Sequence, residues 1–206
     1  MDEAYFCAAC RSDLPWIGTC CEKCGQPLPA GAHCASCQLH PPQFEKAVAP
    51  LVYTFPVDSA IKALKFKRQL YLAPAFGGLL VPLLEDRFPD VDALLPVPLH
   101  RLRHAHRGFN QATELCRPLR DKSGLPIVCN VNRIRATPPQ TGLRAAERRR
   151  NMTAAFEVSG ALNARHVLVI DDVITTGETC RQLSAALLAA GVRRVSVLAI
   201  ARAASP

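Results

Sequence analysis

One stretch of thirteen residues, 167–179, constrains the fold of this chain more than any other. It begins with four apolar residues, as expected of a strand buried on both faces, and Asp171 and Asp172 follow. A turn rich in Thr and Gly then leads directly into a segment of helical periodicity that ends before Gly191. A buried strand that turns into a helix in this way is typical of a parallel sheet covered by helices.

Apolar runs alternate with helical patterns along most of the chain. Strands are predicted at residues 47–54, 93–97, 127–134, 166–170 and 193–200, and helices at residues 57–67, 72–86, 110–122 and 178–190. A long polar loop is predicted at residues 135–151. The predicted fold class is therefore α/β, with a mostly parallel sheet and flanking helices. Ligands of such sheets bind beyond the carboxyl ends of the strands.

The cysteines divide the chain into two parts. Seven of the ten precede residue 38, and this segment has two basic and four acidic residues, which contribute −2 to the net charge of +8. The rest therefore carries +10. Because composition changes near Pro41 and Pro42, we predict a Cys-rich module at residues 1–40 and a basic domain at residues 45–206. The basic domain is expected to bind an anion such as phosphate, a nucleotide or nucleic acid.

Composition excludes several classes of protein. A chain of 206 residues that is 49% hydrophobic can bury a core, but it cannot hold two full enzyme domains. Residues 1–5 lack the features of a secretory signal, and the most apolar stretch, residues 70–84, is too interrupted to span a membrane. We therefore expect a cytoplasmic protein without a membrane span, whose thiols remain reduced.

Three CxxC pairs lie before residue 38. One such turn places two thiolates beside a metal ion, and a second turn completes the tetrahedral coordination of zinc. Two of the pairs are separated by nine residues, which predicts a zinc ribbon with a structural ion. The predicted ligands are Cys21, Cys24, Cys34 and Cys37. Cys7 and Cys10 form the third pair, a further candidate for metal binding that has no partner pair.

The turn after the acid pair has the composition of a phosphate-binding loop. Its N–H groups and hydroxyls lie at the positive end of the following helix, where glycine lets the backbone approach a phosphate closely. The predicted phosphate contacts are Thr175, Thr176, Gly177, Glu178 and Thr179. Asp171 and Asp172 lie one ribose length away and are predicted to accept hydrogen bonds from vicinal hydroxyls. An acidic loop that only caps the helix is the alternative.

A second basic segment, PVPLHRLRHAHRGFNQA, follows the strand predicted at residues 93–97. Its three arginines and three histidines favour contact with a diphosphate. A basic surface loop is the alternative.

Residues 167–179 resemble the signature of type I phosphoribosyltransferases, which bind 5-phosphoribosyl 1-diphosphate (PRPP). Together with the CxxC module, the PVPLH and RGFNQA strings and the pattern of residues 139–156, they make nearly the whole chain similar to the ComF family, which includes competence protein ComF and GntX. This resemblance implies a zinc ribbon joined to a type I phosphoribosyltransferase-like domain. It also implies a role in handling imported single-stranded DNA, during natural transformation or in the use of DNA as a nutrient.

The resemblance also implies roles for individual residues. Asp171 and Asp172 would hold the ribose hydroxyls of PRPP, and the Thr- and Gly-rich turn would hold its 5-phosphate. The second basic segment would face the diphosphate and its Mg²⁺, and the residues concerned are Pro98, Arg101 and Arg107. Members of the ComF family begin with one more CxxC pair, so we expect that a first ribbon has decayed or lies upstream of the printed start. One bound zinc ion is expected.

Three functions fit these features: a PRPP-dependent transferase acting on a nitrogenous base, a DNA-handling protein on the same scaffold, and a regulator that senses PRPP or another phosphoribosyl ligand. No catalytic residue or acceptor can be identified. An arginine-rich stretch would contact DNA, or would close over the ligand as a lid; its members are Arg144, Arg148, Arg149 and Arg150. Phe109 or Phe156 would stack on bases. Proteins of the DNA-uptake machinery are further expected partners.

Overall fold

The computed structural model describes residues 5–135 and 155–204. The helices are α1 (Ala8–Ser12), α2 (Ala35–Leu39), α3 (Val57–Lys67), α4 (Leu72–Arg87), α5 (Arg101–Arg107), α6 (Gln111–Ser123) and α7 (Glu178–Ala189). The strands are β1 (Ala47–Val48), β2 (Leu51–Val52), β3 (Ala93–Pro96), β4 (Val131–Arg133), β5 (Phe156–Val158), β6 (His166–Ile174) and β7 (Arg194–Arg202). Within these ranges, no helix combines the length and the apolar character that crossing a bilayer requires.

Five strands form one parallel sheet, with β6 and β7 at its centre. β3 pairs with the outer side of β6, while β1 and β2 both pair with the outer side of β7. β4 and β5 form a separate antiparallel pair. The predicted fold class, a mostly parallel sheet with flanking helices and an N-terminal zinc ribbon, is confirmed.

Alternate residues of β6 face two layers of the core, because successive side chains of a strand point in opposite directions. Val167 and Val169 pack in the same cluster as Leu183 of α7. Leu168 and Ile170 pack in the other cluster, together with apolar residues of α3, α4 and α6. Burial on both faces explains why this strand is a continuous apolar run in the sequence.

The Cys-rich module packs directly on the edge of the sheet. The N–H of Ile17 donates to the carbonyl of Pro50 at 2.8 Å, and the N–H of Ala47 donates to the carbonyl of Lys23 at 2.8 Å. Three cysteines of the module are buried in the cluster that contains α7. The division of the chain at residues 40–45 stays a prediction.

Two predicted strands are shorter than expected. Residues 47–54 form two separate strands, β1 and β2, because Pro50 lies between them and has no N–H for the ladder. The strand predicted at residues 127–134 is reduced to β4 and an isolated bridge between Ile127 and Leu94. Most of the predicted polar loop lies outside the described residues.

Two other predictions near the site need correction. β6 continues to Ile174, because β7 runs beside it as far as Arg202, so the acid pair lies inside the strand rather than after it. Most of the expected diphosphate loop forms helix α5. The His100 side chain accepts a hydrogen bond at the start of this helix, and Gly108 ends it with a left-handed conformation.

A buried histidine lies at the opposite end of β6. His166 is 3% exposed, and its Nε2 lies 2.9 Å from the Oγ of Ser196. Its Nδ1 lies 3.3 Å from a carboxylate oxygen of Asp90, and Arg194 forms ion pairs with Asp90 and Glu45. Burial lowers the pKa of His166, and the charge of Arg194 lowers it further, against the opposite effect of the two carboxylates.

Protonation of His166 should therefore reduce stability in mild acid. In the unfolded chain, His166 takes up a proton near the ordinary histidine pKa of about 6.5, whereas in the folded protein its pKa is lower. Neutral His166 therefore contributes fully to the free energy of unfolding above about pH 6.5, and this contribution is lost as the pH falls below that value. We expect the urea midpoint to decrease between pH 7.5 and pH 5 in the wild type, and to decrease less in His166→Gln. The exposed control His40→Gln should follow the wild type. Equal pH dependence in all three proteins would contradict this assignment.

Candidate functional site

Asp171 and Asp172 lie near the carboxyl end of β6, and both are buried, with exposed fractions of 9% and 3%. The backbone N–H of Asp172 donates to Oδ1 of Asp171 at 2.9 Å. Consecutive side chains of a strand point to opposite sides, but these two carboxyl groups still interact, because Asp172 raises the pKa of Asp171. Asp172 forms an ion pair with Lys65 of α3. Sequence patterns do not indicate Lys65, since this contact depends on how α3 packs over the sheet.

The acid pair is poorly solvated and surrounded by cations. Burial raises the pKa of Asp171 well above its usual value, and the charge of Asp172 raises it further. Burial lowers the pKa values of Arg107 and Arg133, while the charges of Asp172 and Asp171, respectively, act on them in the opposite direction. A buried carboxyl with such a shift is stabilised by any ligand that supplies a cation or a hydrogen-bond donor, which is typical of functional sites.

The turn that was predicted to bind phosphate begins directly after β6. Thr175 and Thr176 are exposed, and Gly177 adopts a left-handed conformation with φ of 78° immediately before α7 begins. The N–H of Glu178 lies 3.4 Å from the hydroxyl of Thr176. The first N–H groups of an α-helix have no partner within the helix, so α7 offers donors to an anion at this end. The structure thus brings the predicted phosphate contacts together at one turn.

Arg202, at the end of β7, forms hydrogen bonds to the backbone carbonyls of this turn. Its side chain is 4% exposed, and its Nη1 donates to the carbonyls of Ile174, at 3.0 Å, and Thr175. Its Nε donates to the carbonyl of Cys24, in the Cys-rich module, at 3.1 Å. Because these carbonyls accept hydrogen bonds from one guanidinium, they are not available to a ligand. The groups of the turn that remain available are mainly N–H donors. Nothing in the sequence pattern singles out Arg202 except its position after an apolar strand.

The predicted diphosphate contacts are only partly assembled. The Nη1 of Arg107 donates to Oε1 of Gln111 at 2.5 Å, beside the acid pair. Arg101 is exposed at the start of α5, and Pro98 is half-buried in the preceding segment. Among the described residues, neither Pro98 nor Arg101 has a hydrogen bond or an ion pair with the acid pair.

The four predicted zinc ligands are brought together. Their Sγ atoms all lie within 4.8 Å of one another, and those of Cys24 and Cys34 are 3.6 Å apart. Four thiolates at about 2.3 Å from a tetrahedral zinc ion lie about 3.8 Å apart, so the group fits zinc. Burial alone would raise the pKa of Cys21, but backbone N–H donors, first that of Cys34, outweigh it and lower this pKa to about 6. This favours the thiolate form of Cys21, whereas burial raises the pKa values of Cys24 and Cys37 in the chain without the ion.

The other residues predicted to bind a metal or DNA either lie away from these groups or lie outside the described residues. Cys7 and Cys10 are exposed and are not part of the four-cysteine group. Phe156 is 4% exposed, so its ring is unavailable for stacking on a base. The arginines predicted to contact DNA or to form a lid lie outside the described residues; they are Arg144, Arg148, Arg149 and Arg150.

The fold and the site define a zinc-ribbon protein whose parallel α/β domain has a buried acid pair in its central strand and a glycine-containing turn at the start of α7. Residues 1–38 match the double zinc ribbon domain. The chain is 34% identical to the DNA utilization protein YhgH of Salmonella typhi over 205 residues, covering 95% of this chain and 89% of that protein. It is 33% identical to competence protein F of Haemophilus influenzae, covering 96% and 90%. The chain therefore belongs to the family of these competence and DNA utilization proteins, as its resemblance to the ComF family predicted.

Two more distant proteins are also similar to this chain. Competence protein ComFC of Bacillus subtilis is 27% identical over 90% of this chain and 78% of its own length. A solved structure of an allosteric regulatory enzyme of purine biosynthesis aligns with a TM-score of 0.44 and 17% identity, covering 68% of this chain and 30% of that one.

One zinc ion should bind per chain, through the four clustered cysteines. Cys24→Ser should lose the ion and destabilise the protein, whereas Cys10→Ser and the exposed control Cys129→Ser should keep it. The measurement is metal content by native mass spectrometry. Two zinc ions on the wild-type chain, or a full zinc content in Cys24→Ser, would contradict the assignment.

Replacing Arg202 should weaken both structures that its guanidinium joins. A lysine keeps the charge but lacks the planar fork that reaches several carbonyls, so Arg202→Lys should lower the free energy of unfolding by about 1–3 kcal/mol. Release of zinc to a chelator should also become faster than in the exposed control Arg193→Lys. Unchanged unfolding in urea and unchanged zinc release would show that the guanidinium does not join the zinc ribbon to the turn after β6.

Proposed function

We propose that the chain binds PRPP with Mg²⁺ through Asp171, Asp172 and the turn at residues 175–179, and that it handles imported single-stranded DNA. The observation that carries the first part is the order of groups along one strand, one turn and one helix. Acceptors for two hydroxyls come first, and N–H donors for a phosphate follow. A ribose 5-phosphate presents hydroxyls and a phosphate in the same order.

The nature of the turn supports an anionic ligand. Arg202 takes the carbonyls of Ile174 and Thr175, so the groups that remain are mainly N–H and hydroxyl donors. Gly177 carries no side chain between the backbone and a ligand. A turn of this type, at the start of a helix of 12 residues, attracts a phosphate through both hydrogen bonds and the helix dipole.

The cations around the acid pair support a ligand with more than one phosphate group. Mg²⁺ prefers carboxylate and phosphate oxygens, and the pair of carboxylates lies beside Lys65 and Arg107. Ribose hydroxyls or Mg²⁺ on Asp172 would replace its ion pair with Lys65. The ammonium group would then be free to contact the diphosphate, so binding would exchange one ion pair for another.

The DNA-handling part of the proposal comes from the relatives and from charge. The names of the relatives refer to DNA utilization and to competence. This chain has a net charge of +8, and its part after residue 37 is more basic still. Polyanions are the expected partners of such a domain.

Transfer of the phosphoribosyl group to a base is the second candidate, favoured by the cations next to the acid pair. Such transfer passes through a cationic sugar, so positioning and stabilisation of the departing diphosphate would accelerate it. Release of diphosphate in the presence of a base would distinguish a transferase from a protein that only senses PRPP.

The direct test is a calorimetric titration of the zinc-loaded protein with PRPP and Mg²⁺. The wild type should bind, and Asp171→Asn should bind at least about tenfold more weakly, because a hydrogen bond to a charged group contributes about 1.5–3 kcal/mol. The control Asp121→Asn changes an exposed carboxylate on α6 and should bind as the wild type does. A folded, zinc-loaded wild type that does not bind PRPP would contradict the proposal, as would equal affinity in Asp171→Asn.

A further inference from the structure

Helix α5 has an unusual relation to the rest of the protein. It has no buried residue, so its position is not explained by packing in the core. Hydrogen bonds at its two ends stabilise the helix itself, from the N–H of Leu102 to His100 and from the N–H of Gly108 to the carbonyl of His104. A basic helix without a buried face leaves its cationic side chains accessible to an anionic ligand.

A cleft of about 280 Å³ lies between α5 and the end of α3. Its walls are basic apart from one aromatic ring, and its residues are Lys65, Phe66, Arg68, Arg103, His106 and Arg107. None of them belongs to the acid pair or to the phosphate-binding turn. Lys65 and Arg107 lie between this cleft and Asp172, so the cleft adjoins the proposed PRPP site and shares these two cations with it.

The backbone positions one of these cations in an uncommon way. Arg68 ends α3 in the left-handed region, with φ of 54°, a conformation that non-glycine residues rarely adopt. A β-carbon added to Gly108 would lie 3.1 Å from Nη2 of Arg68, so the glycine leaves room for this guanidinium. Both features direct Arg68 toward α5.

The cleft also contains an exposed aromatic ring. Phe66 is 73% exposed, and the guanidinium of Arg107 lies 5.5 Å from the centre of its ring. A free phosphate or diphosphate needs cations but has no use for an exposed ring. A single strand of nucleic acid uses both, because its phosphates bind cations and its unpaired bases stack on aromatic rings.

We propose that this cleft binds single-stranded DNA, with Phe66 stacking on a base and Arg68, Arg103 and Arg107 contacting the adjacent phosphates. The inference rests on the DNA-handling part of the proposed function and gives it a location. It differs from the location predicted from the sequence, where Phe109 or Phe156 would stack. A strand held here passes beside the PRPP site, and Lys65 and Arg107 contact both regions.

The test is fluorescence anisotropy with a labelled oligonucleotide of twenty thymidines, at several salt concentrations. Phe66→Ala should weaken binding by roughly five- to 150-fold with little change in its salt dependence, because loss of stacking removes no ionic contact. Arg103→Ala should reduce the slope of log affinity against log salt by about 0.7. The controls are Tyr5→Ala, an exposed aromatic residue elsewhere, and Arg120→Ala on α6, and both should bind as the wild type does.

The results distinguish the location of the DNA site from DNA handling itself. If the wild type binds the oligonucleotide and the Phe66 and Arg103 variants bind equally well, the location is wrong while DNA handling stands. Equal affinity for a duplex of the same length would also overturn the location, since paired bases cannot stack on Phe66. If the wild type binds PRPP but no oligonucleotide, the location and the DNA-handling part both fail. Titration of Phe66→Ala with PRPP and Mg²⁺ should match the wild type, which separates loss of stacking from damage to the PRPP site.

Discussion

The guanidinium of Arg202 joins the zinc ribbon to the turn on which the proposed ligand depends. It donates to the carbonyl of Cys24 on one side and to the carbonyls of Ile174 and Thr175 on the other. A zinc ion bound by the four cysteines would fix the position of Cys24, and the central strand β7 fixes that of Arg202, so the turn would be held between two rigid parts. The ribbon is therefore connected to the turn through one side chain, in addition to its hydrogen bonds with the edge of the sheet.

Burial of the two carboxyl groups determines the charge interactions in the rest of the site. Asp171 and Asp172 lie inside a central strand, where water cannot solvate both charges, and cations from three other elements lie nearby. One carboxylate is already paired with Lys65 of α3. A ligand that brings hydroxyls, Mg²⁺ and diphosphate would satisfy the acids and the cations together, and would offset the cost of burying them.

Local patterns were sufficient to predict most strands and helices of the parallel sheet and the four cysteines that lie together. Each of these is encoded within a few consecutive residues, as in the CxxC turns and in the strand before Asp171. Lys65 and Arg202 could not be predicted, because their contacts depend on how distant segments pack. Helix α5 was missed for another reason: caps stabilise it, and it lacks the apolar periodicity by which buried helices are recognised.

Hydrogen–deuterium exchange with and without PRPP and Mg²⁺ tests most directly whether the turn after β6 holds the 5-phosphate. Backbone amides of residues 175–179 are the donors assigned to this group, so their exchange should slow when the ligand is present. Amides in α4 and α6, away from the turn, should exchange at the same rate in both states. Unchanged exchange at residues 175–179 under saturating ligand, with protection only elsewhere, would contradict the account.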